Sequence, residues 1–175
     1  QPLLNTDGSF IDTPLNREDL KKMKMDAELM NKLVVRFGPL DWRLANAHAL
    51  YWASQGVEYA TGSQILLCRR ALYLPLMLMT LNGRFTGDLE KKVWKTTPLP
   101  ELAIPAAEYM KKTLDEFPSR NMRTVYLRFL ARGMQLLDQE GRKTEAEKLY
   151  TDFKTALPAN ISLLSYQDII AGKIQ

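Results

Sequence analysis

SRNMRTVYLRFLARGMQLLDQEGRKTEAEKLYTDFKTALP, residues 119–158, decides the fold. Ser119 is placed to cap a helix, and Tyr126, Phe129, Leu130, Gly133 and Leu137 recur at the three- and four-residue spacing of one helical face. Gly141 breaks that helix. A second helix over roughly 143–157 carries Ala146, Tyr150 and Phe153, and Pro158 stops it because proline can neither donate to the ladder nor fit inside it. Two helices of this length joined at a glycine turn make a helical hairpin.

The same grammar extends upstream. Pro105 suits the first turn of a helix bearing Ala106, Met110, Leu114 and Phe117, which ends at Pro118. Residues 63–82 form a helix closed by Asn82-Gly83, with Pro75 expected to kink it. The stretch from Asp41 to Gly56 is apolar nearly all round, with Leu44, Ala45, Ala47, Leu50, Tyr51 and Trp52, as in a helix buried between others. Asn16 caps a first helix with Glu18 and Asp19 in its first turn, striped by Leu20, Met23, Ala27, Met30, Val34 and Phe37 and stopped by Gly38-Pro39. Residues 162–171 form a last short helix. No run alternates in the manner of a strand bounded by hairpin turns. The expectation is an all-α chain of antiparallel helical hairpins: an extended lead-in over 1–15, then a single helical domain over 16–175.

Composition narrows the function classes. The chain has 175 residues, 46% hydrophobic and 25% charged, which supplies enough apolar surface to offset the entropy of ordering. Its single cysteine excludes a disulfide scaffold. The net charge of +4 comes in small groups with acids beside them, such as Lys91-Lys92-Lys95 after Asp88 and Glu90. That pattern reads as solvated helix faces rather than a nucleic-acid footprint. Leu72–Leu81 is too short to span a bilayer and is preceded by Arg69 and Arg70, so no transmembrane segment is expected. Because Gln1 rather than Met comes first, the expectation is an exported or envelope-associated soluble domain, or a piece of a longer protein.

The segment Tyr126–Pro158 resembles a tetratricopeptide repeat, a helix-turn-helix unit of about 34 residues. Leu130 stands at the family's first large position and Leu137 at the later aromatic one. Gly141 marks the turn, Ala146 and Tyr150 the small and aromatic positions of the second helix, and Pro158 the close. There are departures: Met134 occupies the small-residue site with Gly133 just before it, and Phe153 stands where alanine is usual. The block FGPLDWRLANAHALYWASQG, residues 37–56, is similar to a stretch of uncharacterised bacterial helical-repeat proteins. The resemblance implies an irregular array of hairpins that scaffolds other proteins, holding peptides or partner helices on a concave surface.

Catalytic constellations are lacking. The sequence has no glycine-rich phosphate loop, no nucleophile elbow and no paired cysteines. One histidine and one cysteine cannot furnish a zinc site without several carboxylates, and around Asn5, Asp7 and Gly8 the calcium-loop spacing fails at Leu3 and Pro14. His48 reads as a hydrogen-bonded structural histidine. Cys68 shares a stripe with Leu72, Leu76 and Met79 and reads as core. No enzyme activity, cofactor or metal is expected.

Binding residues are more visible. Trp42 and Arg43 follow a loop and are expected to be exposed, and Tyr59 joins them as an aromatic contact. Tyr51 and Trp52, among alanines, are expected to pack. Arg128 and Arg132 share a helix face four residues apart. Trp42, Arg43, Tyr59, Arg128 and Arg132 are therefore the candidate partner-binding set. The expected function is a non-enzymatic interaction module for a protein or peptide, or for neighbouring domains of a longer parent chain. The alternative is binding of an anionic surface or polymer through the basic faces.

Overall fold

The structure, a computed structural model, describes residues 2–88, 91, 93–159, 161–162 and 164–173. It is mainly α, 66% helix. By internal packing it divides into two compact units, Gln1–Leu102 and Ala103–Gln175, a boundary the sequence reading did not draw.

The first unit opens with a turn rather than a plain extended arm. Leu4 and Phe10 pair across it, and Gly8 adopts φ +85° at its tip. Helix α1 (Pro14–Lys22) starts two residues before the expected cap. Thr13 caps it, its Oγ1 accepting from the Asn16 backbone N–H, because Pro14 is preset for the first helical position. Asn16 is instead buried, and its Nδ2 donates to the Pro2 and Ile11 carbonyls, tying down the lead-in.

The single first helix expected over 16–37 is two. After α1 the chain turns at Lys24 (φ +61°), the Met25 N–H returns to the Leu20 carbonyl, and Asp26 caps α2 (Ala27–Phe37). Met23 leaves the stripe for solvent while Met25 takes its place in the core. Helix α3 (Ala45–Tyr59) starts later than Asp41 and runs through Gly56. It packs along α4 (Gln64–Asn82), which continues through Pro75.

The chain is mainly α as expected, but the run of helices is interrupted between α4 and Leu99. β1 (Arg84–Asp88) and β2 (Val93–Thr97) form an antiparallel hairpin, with Phe85 opposite Thr96 and Gly87 opposite Trp94. Residues 93–96 are exposed on both faces of the strand. With neither face buried, the two-residue alternation that marks a strand has no reason to appear. The Leu99 N–H then bonds the Thr80 carbonyl, seating a 3₁₀ turn, Pro100–Leu102, beside α4.

The second unit is the hairpin read from the sequence, with a helix packed on each side. Helices α5 (Ala103–Glu116), α6 (Arg120–Gln139) and α7 (Lys143–Ala156) share one core. Tyr126, Phe129, Leu130, Met134 and Leu137 meet Ala146, Leu149 and Phe153 there. Gly141 (φ +74°) supplies the left-handed residue of the α6–α7 turn. Short α8 (Tyr166–Ile170) closes on α6, where Gln135 Nε2 donates to the Ile169 carbonyl and the Tyr166 hydroxyl bonds Asp138.

Candidate functional site

The loop between α2 and α3 holds two of the expected binding residues: Trp42 is not exposed as expected, whereas Arg43 is exposed but engaged within the chain. Trp42 is only 3% exposed, its ring edge-on to His48 and Tyr51, while its backbone N–H donates to the Gly8 carbonyl. Arg43 is committed to an ion pair with the buried Asp41. Its Nε and Nη2 reach the two carboxylate oxygens of Asp41 at 2.7 and 2.6 Å, and Nη1 donates to the Thr6 carbonyl at 2.7 Å. Asp41 also accepts from the Phe85 backbone N–H at 2.8 Å, and the guanidinium lies 5.0 Å from the Phe85 ring centre. Asp41 and Trp42 are buried because the N-terminal turn and β1 both close on this part of the loop. Trp42 and Arg43 build the fold.

Other expectations divide. His48 Nε2 donates to the Trp42 carbonyl at 2.8 Å, which places its proton on that nitrogen. Tyr51 is buried and its hydroxyl accepts from the Asp26 N–H. Trp52 does not pack away: it stacks edge-on against Tyr51 yet stays 46% exposed. Tyr59 is 81% exposed at the end of the 15-residue α3, the opposite end from the Trp42 loop. Arg128 and Arg132 are exposed on α6, and Arg132 donates to the Gln135 side-chain oxygen at 3.0 Å. Among the described residues, no three His, Cys, Asp or Glu side chains gather as a metal site requires.

Two surfaces that were not singled out from the sequence stand out instead. In the first unit, α4 buries Leu72, Leu76 and Met79 on one side and leaves Leu67, Ala71, Leu74 and Leu78 exposed on the other. With half-buried Leu81, those residues are four, three, four and three apart, the spacing of a coiled-coil seam. The sequence signal was present, since α4 is apolar on both faces. Among the described residues α4 alone is long and apolar enough to cross a bilayer, but only a third of it is buried and Arg69 and Arg70 lie near its start. It gives no clear membrane-spanning segment.

In the second unit, the ends of α5, α6 and α7 enclose two adjoining cavities that share Pro118 and Arg123. The first, about 320 Å³, is lined by Lys111, Asp115, Arg123, Tyr126, Asp152 and the last turn of α7. Tyr126 is 1% exposed and its hydroxyl has no hydrogen-bond partner among the described residues. Burial pushes that hydroxyl's pKa well up, aided by the negative field of Asp152. Lys111 is engaged by Asp115 at 2.6 Å. The second cavity, about 620 Å³, is lined by Ser119, Arg120, Arg123, Thr124, Pro158 and Ile161.

Desolvation raises the Asp152 carboxyl above its ordinary 3.8, and the fields of Lys111 and Lys148 only partly oppose it. A carboxyl with a raised folded pKa binds its proton more tightly when folded, so stability falls as pH rises from 3.8 through the folded value. Asp152→Asn therefore flattens that segment of the stability–pH profile and raises stability at pH 7, as measured by urea unfolding across pH. A decline of the same depth in the variant would count against the assignment. Comparison with protein-family models, with curated proteins and with solved structures gives no match for this chain.

Proposed function

We propose that the protein is a non-enzymatic interaction module, and that the exposed seam of α4 receives an α-helix of a partner protein. The observation that carries this reading is the apolar stripe Leu67–Ala71–Leu74–Leu78 on a helix whose opposite face is already used by the core. An exposed patch of this kind marks a contact surface. Its heptad spacing over about 21 Å, from Leu67 to Leu81, suits knobs-into-holes packing against another helix. The tetratricopeptide-like reading of α6–α7 supports the same class of function. Its two helices approach closely at Gly133, just before Met134, where an added Cβ would stand 2.9 Å from Leu149 Cδ1.

The test is in-cell photocrosslinking, with a benzoylphenylalanine placed at Leu74 and, separately, at Val35, which is also exposed. A discrete crosslinked protein from position 74, absent from position 35 and lost on Leu78→Lys, is expected. Equal crosslinking from both positions, or none from 74, would sink the reading.

A further inference from the structure

The paired cavities of the second unit have chemistry that the α4 seam does not share. Tyr126 presents a hydroxyl that is buried and unpartnered, which a purely structural aromatic would not need, since phenylalanine fills the same volume without the desolvated oxygen. Asp152, half-buried on the same wall, accepts no hydrogen bond and stands in no ion pair among the described residues. The last turn of α7 points carbonyl groups toward this end, and Lys111 is neutralised by Asp115. The inner cavity thus offers acceptors on its Tyr126–Asp152 wall, beside Arg123, which it shares with the outer cavity.

The outer cavity offers the reverse. Arg120 and Arg123 occupy the first turn of the 20-residue helix α6, with no acid in that turn. Neither guanidinium has a hydrogen bond or ion pair among the described residues. Two cations at the positive end of a helix oppose its dipole, an arrangement that an anion relieves.

We propose that this groove binds an extended peptide carrying one basic and one acidic side chain. An arginine or lysine enters the inner cavity, donating to the Tyr126 hydroxyl oxygen and the Asp152 carboxylate. The acidic side chain of the same peptide lies in the outer cavity between Arg120 and Arg123, at the α6 N-terminus. Arg123, shared by both cavities, fixes the order of the two charges. The site is in the second unit and does not depend on the seam of α4.

The test uses the full chain and fluorescein-labelled octapeptides of glycine and serine. Each contains one arginine and one aspartate two to five residues apart, in both orders, with arginine-only and aspartate-only controls. Fluorescence anisotropy should show the best two-charge peptide binding about tenfold more tightly than either control, the increment of one charge-assisted contact. Tyr126→Phe should weaken that peptide about tenfold while raising Tm by about 3 °C, because it removes an unsatisfied buried hydroxyl. A tyrosine that served only the core would give the Tm rise without the loss of binding. Arg123→Gln, at a residue with no structural partner, should weaken binding about tenfold with Tm unchanged, which keeps the test usable should Tyr126→Phe misfold. Controls that bind as well as the two-charge peptide, or full displacement by inorganic phosphate with no dependence on Tyr126, would overturn the proposal.

Discussion

Asp41→Ala should lower the stability of the first unit by about 3–5 kcal/mol, the usual cost of removing one partner from a buried ion pair. Asp41 is 3% exposed and accepts four hydrogen bonds: from the Arg43 Nε, Nη2 and backbone N–H, and from the Phe85 N–H. Its removal strands a guanidinium whose side chain is only 26% exposed, together with two backbone donors. It also releases three separate stretches of chain, because the same pair holds the Thr6 carbonyl, the loop before α3 and the start of β1. Gly8→Ala attacks this knot from the other side. Gly8 sits at φ +85°, and an added Cβ would fall 1.9 Å from Asp41 Oδ1, so the carboxylate must move and its bonds with it. Both variants should shift the urea midpoint strongly. Asp41→Ala combined with Arg43→Ala should cost less than the sum of the two, since the stranded charge is gone. Asp115→Ala is the contrast: its ion pair with Lys111 is 60% exposed on the aspartate side and should leave the midpoint nearly in place. Equal effects at Asp41 and Asp115 would refute the assignment of the knot.

That knot explains what the sequence could show and what it could not. Helices α5, α6 and α7 were legible because each is amphipathic over at least three turns and punctuated by Pro105, Pro118, Gly141 and Pro158. The hairpin β1–β2 was not, because neither face of β2 is buried and alternation is a signature of burial. Trp42 and Arg43 looked like loop residues free to meet a partner because Asp41, their structural reason, is a neighbour two residues away or less. The groups that complete its environment lie at Thr6, Gly8 and Phe85, far along the chain. Long-range polar closure of this kind leaves no periodic trace. Tyr126 shows the same limit in reverse. Its place on the apolar stripe was readable, but the fate of its hydroxyl depends on the ends of two other helices.

Gly133 extends the argument to the close contact within the hairpin, and it separates helix propensity from packing. Gly133→Ala gains about 1 kcal/mol of helix propensity. Its Cβ would lie 2.9 Å from Leu149 Cδ1, the end of a side chain that can shift, and 3.7 Å from the Ala103 Cβ, so the two effects should nearly cancel. Gly133→Leu has no such room. Leu149, Ala103 and the flanking Leu130 and Leu137 are all buried, and a branched side chain inserted among them must separate α6 from α7 and α5. Overpacking of this kind costs about 1–3 kcal/mol at a yielding site, and the rigid surroundings here favour the upper end. Thermal unfolding should therefore place Gly133→Ala within about 1 kcal/mol of the parent and Gly133→Leu about 3 kcal/mol below it. A parallel loss of peptide binding in Gly133→Leu is expected as well, since Tyr126 and Asp152 sit on the two helices it drives apart. Were Leu tolerated as well as Ala, the hairpin would be looser than this packing requires, and the groove at its end would lose the rigidity that positions its charges.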